Sequence, residues 1–217
     1  VNDASIAGSR FNWKMSETRS ISCRLSFSGR RLFFTPSGGF MRPAEIRTLF
    51  EYHYWASELV WDCIMQISDD QFAQELHYST GSIRGLMLHT LSATRRWIDR
   101  IEKLPATPHP NPADFPTRQA VKAAWDEART ATLAYLGSLT EEKLDRPVHW
   151  ELPNRNLTAD HPLWQLLLHA FNHTTDHRSQ VLALLNQHFH IETPEQDLLF
   201  YLLEQTSEVF KTSEVLH

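Results

Sequence analysis

The sequence predicts an all-α protein, a bundle of four long helices, on three observations. Four long stretches between residues 41 and 189 repeat apolar residues at the 3–4 spacing of an amphipathic helix. No stretch of similar length alternates as a strand does. Between the second and third helices stands Leu104-Pro-Ala-Thr-Pro-His-Pro-Asn-Pro-Ala-Asp-Phe-Pro116, where five prolines forbid helix and strand alike. That link is long for adjacent antiparallel helices and suits a crossover between helices pointing the same way.

The first helix is expected from about Pro43, placed where its missing N–H costs nothing, to Ile67. Leu49, Tyr52, Leu59, Trp61, Cys63 and Ile64 give it a broad apolar surface. Ser68 with Gln71 reads as a capping box for a short turn of helix. The second long helix begins near Ser82 and runs to about Leu104, with Ile83, Leu86, Met87, Thr90, Ala93, Trp97 and Ile101 as its stripe. The third opens on Thr117 as N-cap and reaches Leu139. Residues 145–160 read as an irregular loop holding at most a short hairpin. The fourth is expected to take Asp160 as N-cap and run to His188. Thr193-Pro194, with Gln196 at the third helical position, is expected to open a short last helix ending at Leu202.

Residues 1–40 differ in character from the rest of the chain. They carry six basic residues against two acidic ones, eight Ser and four of the seven Gly, with no apolar stripe. The remainder therefore holds 21 − 6 = 15 basic and 26 − 2 = 24 acidic residues, a net −9 against +4 for the tail. A transit peptide, a basic interaction arm and sequence upstream of a true start at Met41 compete as readings. The last is favoured, so residues 1–40 are expected to be disordered and dispensable, with a domain at 41–205 and a C-terminal tail at 206–217. The overall net charge of −5 gives nucleic acid no general invitation. No apolar run approaches 18 residues, so no membrane-spanning helix is expected. Cys23 and Cys63 sit in no CxxC pair and form no disulfide framework, which fits a reducing cytoplasm.

Twelve histidines need an explanation, and they cluster. His169, His173 and His177 stand at successive i, i+4 steps on the fourth helix, hence on one face. Eight residues span about 12 Å of rise, so all three cannot converge on one ion. One adjacent pair can, with imidazole nitrogens about 2 Å from the metal. His173 and His177 follow the period of Leu166, Ala170, Val181 and Leu184, on or beside the buried stripe. A third ligand must come from another helix: His89 beside the stripe of the second helix is the best candidate, and His53 the next. An isolated histidine on an apolar face is usually a satisfied core residue; two inward-facing sets in a chain without competing thiolates favour a metal. The HExxH metalloprotease pattern is excluded, because Ala, Thr or Arg follows each of these histidines.

Four segments together resemble the bacterial DinB-like family of metal-binding four-helix proteins related to thiol-dependent transferases. They are Phe50-Glu-Tyr-His-Tyr-Trp-Ala56, Thr80-Gly-Ser-Ile-Arg-Gly-Leu-Met-Leu-His89 with Trp97, Leu168-His-Ala-Phe-Asn-His-Thr-Thr-Asp-His-Arg-Ser-Gln180, and Asp197-Leu-Leu-Phe-Tyr-Leu202. The resemblance covers about residues 42–203. It implies an up-down-down-up bundle, a metal site carried onto His89, His173 and His177, and in many members a homodimer. Two positions depart from the family: Ser179 stands where Gly is usual, and His53 where Asn is common. His53 is thereby a candidate fourth ligand or catalytic proton carrier, and His169 a supporting or core residue.

Three neutral histidines with an open position suit a catalytic zinc-type site, able to activate a water or a thiol. The expected function is a metal-dependent hydrolase, or a transferase using a low-molecular-weight thiol, on a small molecule; the alternative is a metal- or ligand-binding stress protein without turnover. Zn²⁺ and Ni²⁺ are the expected ions. Arg84, Arg178 and Asp176 could orient an anionic substrate, although surface or inter-helix charge is the plainer reading. Six Trp of the body crowd a narrow core, so aromatic surface at Trp61 and Trp97 is expected to face outward and form a homodimer interface; the alternative is that the Trp rings lie flat under the 145–160 loop of the same chain.

Overall fold

A computed structural model describes residues 41–214. The expectation for residues 1–40 lies outside the described residues, as do 215–217. The described residues form seven α-helices and one two-stranded sheet: α1 (Pro43–Ile64), α2 (Asp69–Ala73), α3 (Ile83–Ile101), α4 (Arg118–Gly137), α5 (Glu141–Asp145), β1 (Pro147–Leu152), β2 (Leu157–Pro162), α6 (Leu163–Phe189) and α7 (Leu198–Glu214). The long helices α1 and α3 each pack on both α4 and α6. No described helix is long and apolar enough to cross a membrane.

Local chemistry sets most of the starts. Ser68 Oγ accepts from Gln71 N at 3.1 Å while Gln71 Oε1 accepts from Ser68 N at 2.8 Å, the reciprocal box expected for α2. Ser82 Oγ caps α3 through Gly85 N, and Thr117 Oγ1 caps α4 through Ala120 N. The Gly-Ser-Ile-Arg-Gly segment has a backbone reason. Gly81 has φ 90°, in the left-handed region, and a Cβ at Gly85 would meet the Thr80 carbonyl oxygen at 2.7 Å.

Two starts differ from expectation. Asp160 does not cap α6. It lies in β2, paired across from His149 in a ladder running from Pro147↔Pro162 to Leu152↔Leu157. Its carboxylate takes His149 Nδ1 at 3.0 Å. The hairpin holds the backbone to Pro162, and the helix can begin only at Leu163. The last helix begins at Leu198 and runs past Leu202 to Glu214. Gln196 is drawn out of any helix by tertiary bonds: its carbonyl accepts from Tyr52 Oη at 2.6 Å, and its side-chain oxygen accepts from Arg178 Nε.

The core forms two large apolar clusters. One gathers Trp61, Ile64, Phe72, Leu86, Val121, Trp125, Val181 and Leu185. The other gathers Ile46, Phe50, Leu136, Leu144, Leu163 and Leu167. Burying each such Leu contributes about 1.5–3 kcal/mol. Buried polar residues at intermediate heights on the long helices, His53, Ser57, Thr90, Thr132, Thr174 and Arg178, fall between them in sequence. Trp61 overturns the outward-facing expectation: it is 1% exposed and packs on Phe72 and Trp125. Trp97 is also covered within the chain, edge-on to Trp150 of β1 and to His169 of α6. The hairpin covers part of Trp97, and the helical interior covers Trp61.

Candidate metal centre

His89 lies in the middle of α3, and His173 and His177 lie one turn apart in the middle of α6. Because α3 and α6 pack together, the three half-buried imidazoles meet. One ring nitrogen of each lies within 4.8 Å of the others. Ring centroids are 4.7 Å apart for His89–His177, 5.2 Å for His89–His173 and 4.5 Å for His173–His177. His173 Nε2 and His177 Nε2 stand 3.3 Å apart. Two nitrogens held about 2.05 Å from one ion at a tetrahedral angle would stand about 3.3 Å apart, so the pair fits a shared ion.

The electrostatics supply lone pairs. Burial, and then the neighbouring His177, push both His89 and His173 down to about 4. Both are therefore neutral near pH 7, the form that binds metal. Gln180 Oε1 accepts from His177 Nδ1 at 3.0 Å, which holds the ring with its Nε2 toward His173. His173 Nδ1 is buried without a hydrogen-bond partner. Such an orphan costs about 1–3 kcal/mol and is more at home in a functional site than in a structural core.

The other expected residues fall elsewhere. His53 does not join the three. It is 3% exposed, its Nδ1 accepts from Arg178 Nη1 at 3.0 Å, and burial followed by the Arg178 charge pushes it down to about 3. Arg178 is an inter-helix group: buried, it donates to Tyr52 Oη at 3.1 Å and to Gln196 as well. His169 is exposed, with its ring 6.0 Å from that of His173 and stacked edge-on against Trp97. Asp176 is exposed, and neither it nor Arg84 reaches the cleft beside the three histidines.

That cleft has a volume of about 680 Å³, and His89 and His173 form part of its wall. Sequence reasoning missed most of the rest. Arg96, Trp97 and Arg100 follow His89 at seven, eight and eleven residues, the same face of α3, a signal that was there to be read. Trp150 and Arg155 come from the hairpin and its turn, where no periodicity pointed inward. His109, from the proline-rich link, lies nearly parallel to His89 with ring centroids 6.5 Å apart.

Comparison with known proteins bears on the family and the fold. The sequence model of the DinB family matches residues 41–206. Protein DinB of Bacillus subtilis (strain 168) is 22% identical over 163 residues, covering 73% of this chain and 94% of that protein. The crystal structure of a DinB-like protein from Bacillus cereus ATCC 10987 superposes with a TM-score of 0.50 at 16% identity, covering 68% of this chain and 94% of that one. A likeness at that identity supports the fold and nothing finer.

Proposed function

The chain belongs to the DinB family, and from that premise we propose that it binds one divalent transition-metal ion through His89, His173 and His177 and acts with it on a small molecule. The observation that carries this reading is the approach of three imidazole nitrogens to within 4.8 Å of one another at the edge of a cleft. Zn²⁺ and Ni²⁺ suit an all-imidazole set. We also read α1, α3, α4 and α6 as an up-down-down-up bundle, with the link after α3 as its crossover.

A bound ion would supply a Lewis acid at the wall of the cleft, serving a hydrolase or a thiol-dependent transferase. The protein's own part is orientation and exclusion of water. Gln180 fixes the His177 ring, the packing of α3 on α6 fixes His89 against the pair, and the hairpin roofs the cleft with Trp150. No cysteine among the described residues lies at the site: Cys63 is buried, with its thiol directed at the Glu192 carbonyl at 3.7 Å. A transferred thiol would therefore be a co-substrate. Elemental analysis of untagged protein, purified without chelators and reconstituted, should find about one ion per chain. Folded protein that retains none would end the proposal.

A further inference from the structure

The cleft beside the three histidines has an unusual charge for this chain. The whole sequence has more acidic than basic residues, 26 against 21. Yet every formally charged side chain lining the cleft is an arginine: Arg96, Arg100 and Arg155. Among the described residues Arg96 and Arg155 have no carboxylate partner. Arg100 lies over the Trp97 ring, 4.9 Å from its centroid. The nearest acid in sequence, Asp99, is buried and already held by Arg95 Nε at 2.8 Å and by the Thr107 amide at 2.9 Å. Burial first and the adjacent Arg96 second lower the Arg100 pKa, against an opposing pull from Asp99.

The apolar wall is preset. Trp97 is pinned between the Arg100 guanidinium and the edge-on rings of Trp150 and His169. Trp150 is fixed in turn, because its Nε1 donates to His161 Nδ1 at 2.8 Å. Rigid indoles bind a flat apolar group with little loss of entropy. Guanidinium forks match the paired oxygens of a carboxylate or phosphate.

We propose that this cleft binds a small organic anion, its carboxylate or phosphate on Arg96, Arg100 and Arg155 and its flat apolar body against Trp97 and Trp150. That such an anion is the substrate presented to His89 and His173 rests on the metal reading above; the binding itself does not. Arg84 and Arg178, weighed from sequence for that role with surface or inter-helix charge as the plainer reading, do not line the cleft.

Calorimetric titration tests it with 1-naphthoate, 1-naphthyl phosphate and the neutral 1-naphthylmethanol, on the full chain both chelator-treated and metal-loaded. Both anions should bind at least about tenfold more tightly than the alcohol in either state, the scale of one charge-assisted hydrogen bond. The Arg96→Gln/Arg155→Gln double variant should lose that preference while its metal content and thermal midpoint stay unchanged. Either anion binding no more tightly than the alcohol, or a preference that survives in a folded double variant, overturns the proposal; so does absence of binding by all three. Anion preference in a protein that retains no metal would leave this inference standing and remove the metal reading; one ion per chain without anion preference would do the reverse.

Discussion

Lowering the pH from about 7 to about 5 should destabilise the fold, and the largest single share should come from His53. Its ring is buried, and its Nδ1 accepts a hydrogen bond from Arg178 at 3.0 Å, so it must be neutral to fit. Protonation would set two cations side by side in the interior, and Arg178 has no carboxylate partner among the described residues to offset them. Burial first, and Arg178 second, take His53 from its ordinary 6.5 down to about 3. Between those values the unfolded chain binds a proton that the folded chain refuses. The contribution of His53 is therefore fully present above 6.5 and is lost as the pH falls toward 3. The slope is about 1.4 kcal/mol per pH unit, so about 2 kcal/mol is gone by pH ~5. Urea unfolding at the two pH values, with a chelator present to remove metal linkage, measures it. In His53→Asn the amide keeps an acceptor for Arg178 but cannot titrate. His89 and His173 titrate in both proteins and cancel in the comparison. The wild type should lose about 2 kcal/mol more than the variant over this range. A difference below about 0.5 kcal/mol would show that burial and the Arg178 contact do not hold His53 neutral.

Three further outcomes are expected. Gln180→Leu should keep the fold but weaken metal binding about 10–100-fold, because His177 loses the partner that orients it; unchanged affinity by competition with a chromophoric chelator would refute that role. His89→Ala, His173→Ala and His177→Ala should each abolish retention of metal through dialysis, while His169→Ala, whose ring packs on Trp97 rather than joining the three, should retain most of it; equal damage from His169→Ala would mean the wrong pair has been chosen. Light scattering at micromolar concentration should give a dimeric mass, with Leu199 and Phe200 of α7 as exposed apolar surface in place of the covered Trp61 and Trp97; a monomeric mass that persists at about tenfold higher concentration would dispose of the dimer.

What could be read without a structure was local or periodic. Ser68 with Gln71, Ser82 and Thr117 cap helices through atoms three residues away, so sequence spacing contains the whole interaction. The long amphipathic stretches became α1, α3, α4 and α6 for the same reason, and the i, i+4 step of His173 and His177 made them neighbours whatever surrounded them. What could not be read depended on partners far along the chain. Asp160 left its helix for a ladder with β1, and Gln196 left its own for Tyr52 and Arg178, more than a hundred residues away in the case of Tyr52. His53 ranked next after His89 on paper, each a histidine on a helix other than the fourth. Only the packing of α3 on α6 brought His89 to the pair, and only the buried Arg178 turned His53 into its acceptor. The arginine and tryptophan walls of the cleft were decided by the packing of the hairpin on α3: a pocket belongs to surfaces from several elements, and the pattern within any one of them does not contain it.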